Sequence, residues 1–356
     1  MGHCELRIDG VLRRSLAASS SYIRAKITPL GDLPLLTILY TARCTHMEPE
    51  YTCASPKKVL SMAEAAAVSP PDLRRAARRG LALYFALIIV LSGTIETILI
   101  QNPEMSPLFL PLMWSPAVAS VIARLILKEG FSDVSFRFGG LRTLPWYALG
   151  LGVPLAVGIL AYGGAWLTRL VGFEGSAGGF VMGLLASATY LTVMGCLSTA
   201  GEEIGWRGYM LTRLIDAGVP RPVLASGLIW GVWHLPVILA GIYAAGPYPA
   251  LSAVLFMGSV TSFGYILARM RLETGSIWPV IFAHSAWNSI ILGPFDGSTK
   301  GAGAALWTGE SGILTVIVLV VVSVIVSRGT WTYIRSLPGR GVPLSRWLSQ
   351  HPARVT

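Results

Sequence analysis

Six residues in the second half of the chain have side chains able to do chemistry and stand where polar groups are costly: Glu202, Glu203, Arg207, His234, His284 and Asn288. Each lies in or beside a long apolar run, and an ionised group in the middle of a membrane helix costs about 2.5–3.5 kcal/mol on insertion scales. In Gly201-Glu202-Glu203-Ile204-Gly205-Trp206-Arg207-Gly208 the second acid and the arginine are four apart, on one helical face with the acid first, so they can neutralise each other. Glu202 is turned about 100° away and has no partner on its own helix. If the segment is buried, a carboxylate so placed is suited to act as a general base; at a solvated helix end both acids would only hydrate it. His234, in Ile229-Trp230-Gly231-Val232-Trp233-His234-Leu235-Pro236, reads either as a packed, hydrogen-bonded ring or as a proton carrier. Pro236 frees a backbone carbonyl nearby, and irregular backbone at membrane depth usually lines a cavity. His284 and Asn288 are again four apart on one face, either glue between helices or two polar groups facing a cleft.

The elements that must hold these residues follow from composition. Hydrophobic residues make up 53% of the 356 and charged residues 13%, where soluble domains carry roughly 25% charged. A mean hydropathy of +0.61, with 39 glycines, 22 prolines and 11 tryptophans, fits an all-α polytopic membrane protein and excludes most soluble folds. Eight apolar runs are of a length to cross the bilayer or nearly so: about 81–100, 108–127, 146–167, 180–200, 222–241, 250–270, 277–293 and 312–327, the last two short. The net charge of +10 is not a nucleic-acid patch, because the basic residues fall between these runs and in the tails. With the N-terminus inside, 26 of the 28 lysines and arginines are cytoplasmic and only Arg169 and Lys300 lie outside, which predicts N-in and C-in. Counted from that side, His234, His284 and Asn288 lie at comparable depth, about 11–18 Å in, and Glu202 can join them. Residues 1–70 read as a disordered cytoplasmic tail or an over-extended start, 71–330 as the membrane domain with its motifs in 200–290, and 331–356 as a basic cytoplasmic tail. Cys4, Cys44, Cys53 and Cys196 have no framework spacing, so neither a disulfide scaffold nor a cysteine zinc site is indicated. Glu96, near the outer end of the first span, is expected to snorkel to the headgroups, and Arg124 to do the same at the inner surface.

Glu-Glu-x-x-x-Arg at Glu202, Glu203 and Arg207, Trp-His-x-Pro at Trp233, His234 and Pro236, and His-x-x-x-Asn at His284 and Asn288 together resemble the motifs of the CPBP family of intramembrane proteases. That family comprises the CAAX prenyl endopeptidases and bacterial relatives, some linked to bacteriocin maturation or immunity. The resemblance runs over about 180–293, and the sequence departs from it at none of these positions. It implies a glutamate-dependent endopeptidase in which Glu202 acts with His234 to activate a water. It further implies that His284 and Asn288 form an oxyanion site, that Glu203 and Arg207 support the site, and that no cofactor is needed. The roles suit peptide hydrolysis, which needs a base for water, donors for the tetrahedral oxyanion and an acid for the leaving amine.

Other readings use the same residues. Two histidines and a glutamate are a familiar zinc set, but no HExxH lies on one helix, so three helices would have to converge. Buried polar stripes can also hold a non-catalytic scaffold or immunity protein together. A transporter lacks its paired broken helices and inverted repeat. The expected partners are the bilayer and a peptide or lipid-modified protein cut near the cytoplasmic face, with no nucleic acid; the sequence does not fix an oligomeric state. The preference for arginine over lysine points to a GC-rich bacterial genome and so to a bacterial inner membrane.

Overall fold

The computed structural model describes residues 24–30, 33–39 and 70–329. The chain divides into two compact units, residues 1–67 and 68–356. In the first, β1 (Arg24–Leu30) and β2 (Leu33–Leu39) pair antiparallel, Arg24 opposite Leu39 and Leu30 opposite Leu33. The apolar residues Leu33, Leu35, Leu36, Ile38 and Leu39 thus lie on the second of two paired strands. The expected disordered tail or over-extended start otherwise falls outside the described residues, as does the C-terminal tail from 330 onward.

The second unit is an all-α, multi-pass membrane protein. Its helices are α1 (Pro70–Gln101), α2 (Phe109–Leu127), α3 (Leu141–Leu167), α4 (Ala177–Asp216), α5 (Pro222–Leu239), α6 (Pro249–Thr274), α7 (Trp278–Ile290), α8 (Ala304–Trp307) and α9 (Ile313–Arg328). All eight apolar runs fall on helices, and among the described residues α1 to α6 are long and apolar enough to cross a membrane. The seventh run is α7 continued by a π-helical turn, Ile291–Phe295, and the eighth is the shorter α9. A two-residue ladder between β3 (Gly172–Phe173) and β4 (Thr299–Lys300) ties the start of α4 to the segment after α7.

Period decides which face each helix buries. On α1 the stripe Ala77, Leu81, Tyr84, Ile88, Ser92, Glu96, Leu99 is buried while Ile89, Val90 and Ile98 are exposed, the i, i+4, i+7 spacing of one helical face. Ser92 Oγ meets Ser115 Oγ of α2 at 2.6 Å, fixing the register of the two helices. Helices that carry the site approach closely because small residues stand at the crossings. A Cβ on Gly205 of α4 would lie 2.5 Å from Pro116 Cβ of α2, and one on Gly227 of α5 would lie 3.0 Å from the Thr261 carbonyl oxygen of α6. On its other side α4 exposes Val181, Met182, Leu185, Val193, Met194 and Leu197, an apolar face fit for lipid.

At the arginine-rich ends of the helices the unit is closed by a buried ionic network. Arg124 of α2 pairs with Asp133, which lies in the connection to α3. Asp133 also accepts from Arg213 of α4 at 2.7 Å, and Arg213 pairs with Glu129 at 2.8 Å. Arg124 donates to the Gly208 carbonyl at 3.0 Å, and Arg271 of α6 donates to the Asp133 carbonyl at 2.7 Å. The guanidinium groups of Arg124 and Arg213 stand over the Tyr209 ring, at 4.8 and 4.7 Å. Arg124 therefore does not snorkel to the inner surface as expected: it is 1% exposed, because a neighbouring loop supplies the carboxylate that pairs with it.

Candidate active site

A cavity of about 280 Å³ lies inside the bundle, and its wall includes Glu202, His234, His284 and Asn288. Three helices bring them there: α4 carries Glu202, α5 His234, and α7 both His284 and Asn288, while α6 contributes the apolar wall at Phe256, Val260 and Phe263. Glu203 and Arg207 stand beneath this wall, both fully buried.

The glutamate pair separates into two roles. Glu203 Oε1 accepts from Arg207 Nη1 at 2.7 Å, as the four-residue spacing required, and from His284 Nδ1 at 2.8 Å. A π-helical turn, Trp206–Met210, begins directly after this stretch of α4 and holds Arg207, and such one-turn irregularities gather at functional sites. Glu202 finds its partner on another helix: its Oε2 accepts from Trp230 Nε1 of α5 at 2.8 Å.

His234 Nδ1 contacts the Trp230 carbonyl oxygen at 2.9 Å. A carbonyl only accepts, so Nδ1 carries the proton, and a neutral ring keeps its lone pair at Nε2. The same logic applies to His284, whose Nδ1–H goes to the Glu203 carboxylate. Asn288 is half-buried one turn further along α7. The expected irregularity at Pro236 is not what opens the site, since α5 runs as one helix through that residue.

Trp230 is the residue that sequence reasoning passed over. Its N–H holds Glu202, its carbonyl holds His234, its ring lies 4.2 Å below the Arg207 guanidinium carbon, and it meets the His284 ring edge-on at 5.2 Å. One residue thus fixes the relative placement of four of the six predicted residues. In the sequence it is one of several tryptophans in an apolar span, and nothing in its spacing marks it.

Three further residues from outside the motif region reach the cavity or hold its wall. Glu310, between α8 and α9, accepts from Tyr243 Oη at 2.6 Å and from Trp287 Nε1 at 2.8 Å. Burial pushes the Glu310 carboxyl above the usual range, while these two hydrogen bonds pull against that. The segment is fixed by Tyr162 of α3, whose hydroxyl donates to Asp296 Oδ1 at 2.5 Å and accepts from the Gly309 N–H at 2.9 Å. Glu96 of α1 is the third, and it corrects an expectation: it does not snorkel to the headgroups but lines the cavity, 7% exposed, because its position falls on the buried stripe of α1.

The scan against protein families matches residues 184–290, a little under a third of the chain, to the family described as type II CAAX prenyl endopeptidase Rce1-like. The chain carries an Rce1-like domain. All six predicted site residues lie within it, and at family level this is a CAAX-type membrane protease. Comparison with curated proteins and with solved structures gave no significant match.

Beyond the motif residues, the cavity wall extends toward one set of helix ends. The site was expected to face the arginine-rich, cytoplasmic ends. The remaining wall is instead built from the opposite ends: Glu96 five residues before α1 finishes, Phe109 and Leu112 at the start of α2, Ile242 and Tyr243 just beyond α5, Leu292 just beyond α7, and Glu310 before α9. At the arginine-rich ends the buried ionic network stands beside the buried rings of Trp206 and Tyr209. Among the described residues no group of three His, Cys, Asp or Glu is placed to hold a metal ion.

Proposed function

We propose that this protein is an intramembrane endopeptidase that hydrolyses a peptide bond with a water activated by Glu202 and His234. The supporting observation is the convergence of Glu202, His234, His284 and Asn288 on one cavity from three helices. Glu202, held by a single N–H donor, takes a proton from water, and His234 offers a lone pair at Nε2 beside it. The tetrahedral oxyanion is met by the Asn288 amide and by Nε2–H of a protonated His284, whose charge the Glu203 carboxylate balances. Arg207 holds Glu203, so the pair orients the donors without touching the scissile bond. The proton on Glu202 then passes to the leaving amine. No step calls on a metal ion.

The substrate in this proposal is a membrane-inserted or lipid-modified peptide, and the membrane is a bacterial inner membrane. If the arginine-rich ends face the cytoplasm, the scissile bond is presented from the opposite, outer face, where the cavity wall ends. A peptide library incubated with purified protein in lipid nanodiscs, with products read by mass spectrometry, tests the reading. Wild-type protein should cut at defined bonds and Glu202→Gln should lose at least about 10²–10⁴ of the rate, the range of general-base catalysis. Cutting that persists in the variant, or is absent from both, sinks the proposal.

A further inference from the structure

We infer that the cavity contains a subsite for a cationic side chain, read by Glu96, and that the peptide cut here carries a lysine or arginine near the scissile bond. The inference rests on the endopeptidase reading for its substrate but on separate residues for its evidence. Three carboxylates line the cavity, Glu96, Glu202 and Glu310, and no lysine or arginine does. Two of the three are already engaged, Glu202 by Trp230 and Glu310 by Tyr243 and Trp287. Glu96 is not: it is 93% buried by difference from its 7% exposure, and its Oε1 has no hydrogen-bond partner.

A buried carboxylate oxygen left unpaired in an apolar bundle is destabilising, and such groups persist where a ligand supplies the missing partner. The surroundings suit a long basic side chain. Phe109, Leu112 and Met113 of the same cavity provide apolar wall for the methylene stem. The position also fits delivery, because Glu96 lies about 8 Å along α1 from its arginine-poor end, the end towards which the wall is built.

The same wall discriminates against another class of substrate. A peptide presenting its free C-terminal carboxylate beside Glu96 meets a like charge, which is unfavourable in a low-dielectric site. A basic segment with its termini elsewhere meets the opposite situation.

The test uses two membrane-inserting peptides, acetylated and amidated at their ends, that differ only in lysine or norleucine at one position moved along the sequence. Binding to the purified full chain in nanodiscs is followed by tryptophan fluorescence, since Trp230, Trp233 and Trp287 line the cavity. Wild-type protein should bind the best-placed lysine peptide at least about tenfold more tightly than its norleucine twin. Glu96→Gln should reduce that ratio to near one, and Glu96→Asp, which keeps the charge, should retain a preference. An equal ratio in wild type and Glu96→Gln, or no preference in wild type, overturns the inference. Because binding is read without cleavage, a lysine preference in a protein that cuts nothing leaves the subsite standing and removes the endopeptidase. Cleavage indifferent to lysine does the reverse.

Discussion

Glu202 and Glu203 are adjacent in sequence and do different work because a helix turns about 100° per residue. Glu203 faces inward, its Oε1 held by both Arg207 and His284, whereas Glu202 faces the cavity with one N–H donor. That single donor makes Trp230 the most informative residue to change. Trp230→Phe removes the N–H and keeps most of the ring, so the prediction is a fall of roughly 10–100-fold in kcat with little change in KM, as expected when a positioned general base loses its orienting bond. Steady-state kinetics on any peptide that wild-type protein cuts will check it. The six motif residues were legible in the sequence because a polar side chain inside an apolar run is costly to insert and is retained mostly for function. Trp230 was not, since an indole in a membrane span is ordinarily packing. Glu96 was misread for a different reason: α1 is apolar nearly all round, so the sequence does not say which of its faces meets lipid and which meets the bundle.

At the scale of elements, the helices in the family-matched region place the proposed catalytic groups, and segments outside it complete the cavity wall. Eight helical runs could be read from hydropathy, and their helical state holds in each case. Their lateral neighbours could not, because close crossings such as Gly205 on Pro116 depend on small residues meeting across helices distant in sequence. The connection from α7 to α9 was equally hidden. Its Asp296 looks like a solvated loop acid but is held under Tyr162, and burial raises its carboxyl to about 6 from 3.8. A carboxyl raised in the folded state gives stability that is fully present below the unfolded value and is lost as pH rises through the folded one. Between about pH 4 and 6 the wild-type protein should therefore lose thermal stability as pH rises, more steeply than Asp296→Asn, which cannot ionise there. Unfolding temperatures of both proteins across that window will check the sign.

The helical unit is asymmetric along its helices. One end is packed with arginines and acids, the other holds the cavity wall, and the apolar belt lies between. Asp133 ties the closed end together, since it serves Arg124 and Arg213 with its side chain and Arg271 with its carbonyl. Asp133→Ala would leave two buried guanidinium groups short of a partner and should cost about 3–5 kcal/mol, visible as a large drop in the unfolding temperature in detergent. A change below about 1 kcal/mol would show that this end is held by packing alone. Composition predicts an orientation through the arginines, but the ion pairs that hold those ends together join residues distant in sequence, so only the packing shows them.

The most direct measurement on this account is the position of the cut in a substrate that spans the membrane in known orientation. Wild-type protein in proteoliposomes should cleave such a peptide in the half that lies beside the arginine-poor ends of the helices, and Glu202→Gln should leave it whole. A cut in the half beside the arginine-rich ends, or the same cut made by Glu202→Gln, would contradict it.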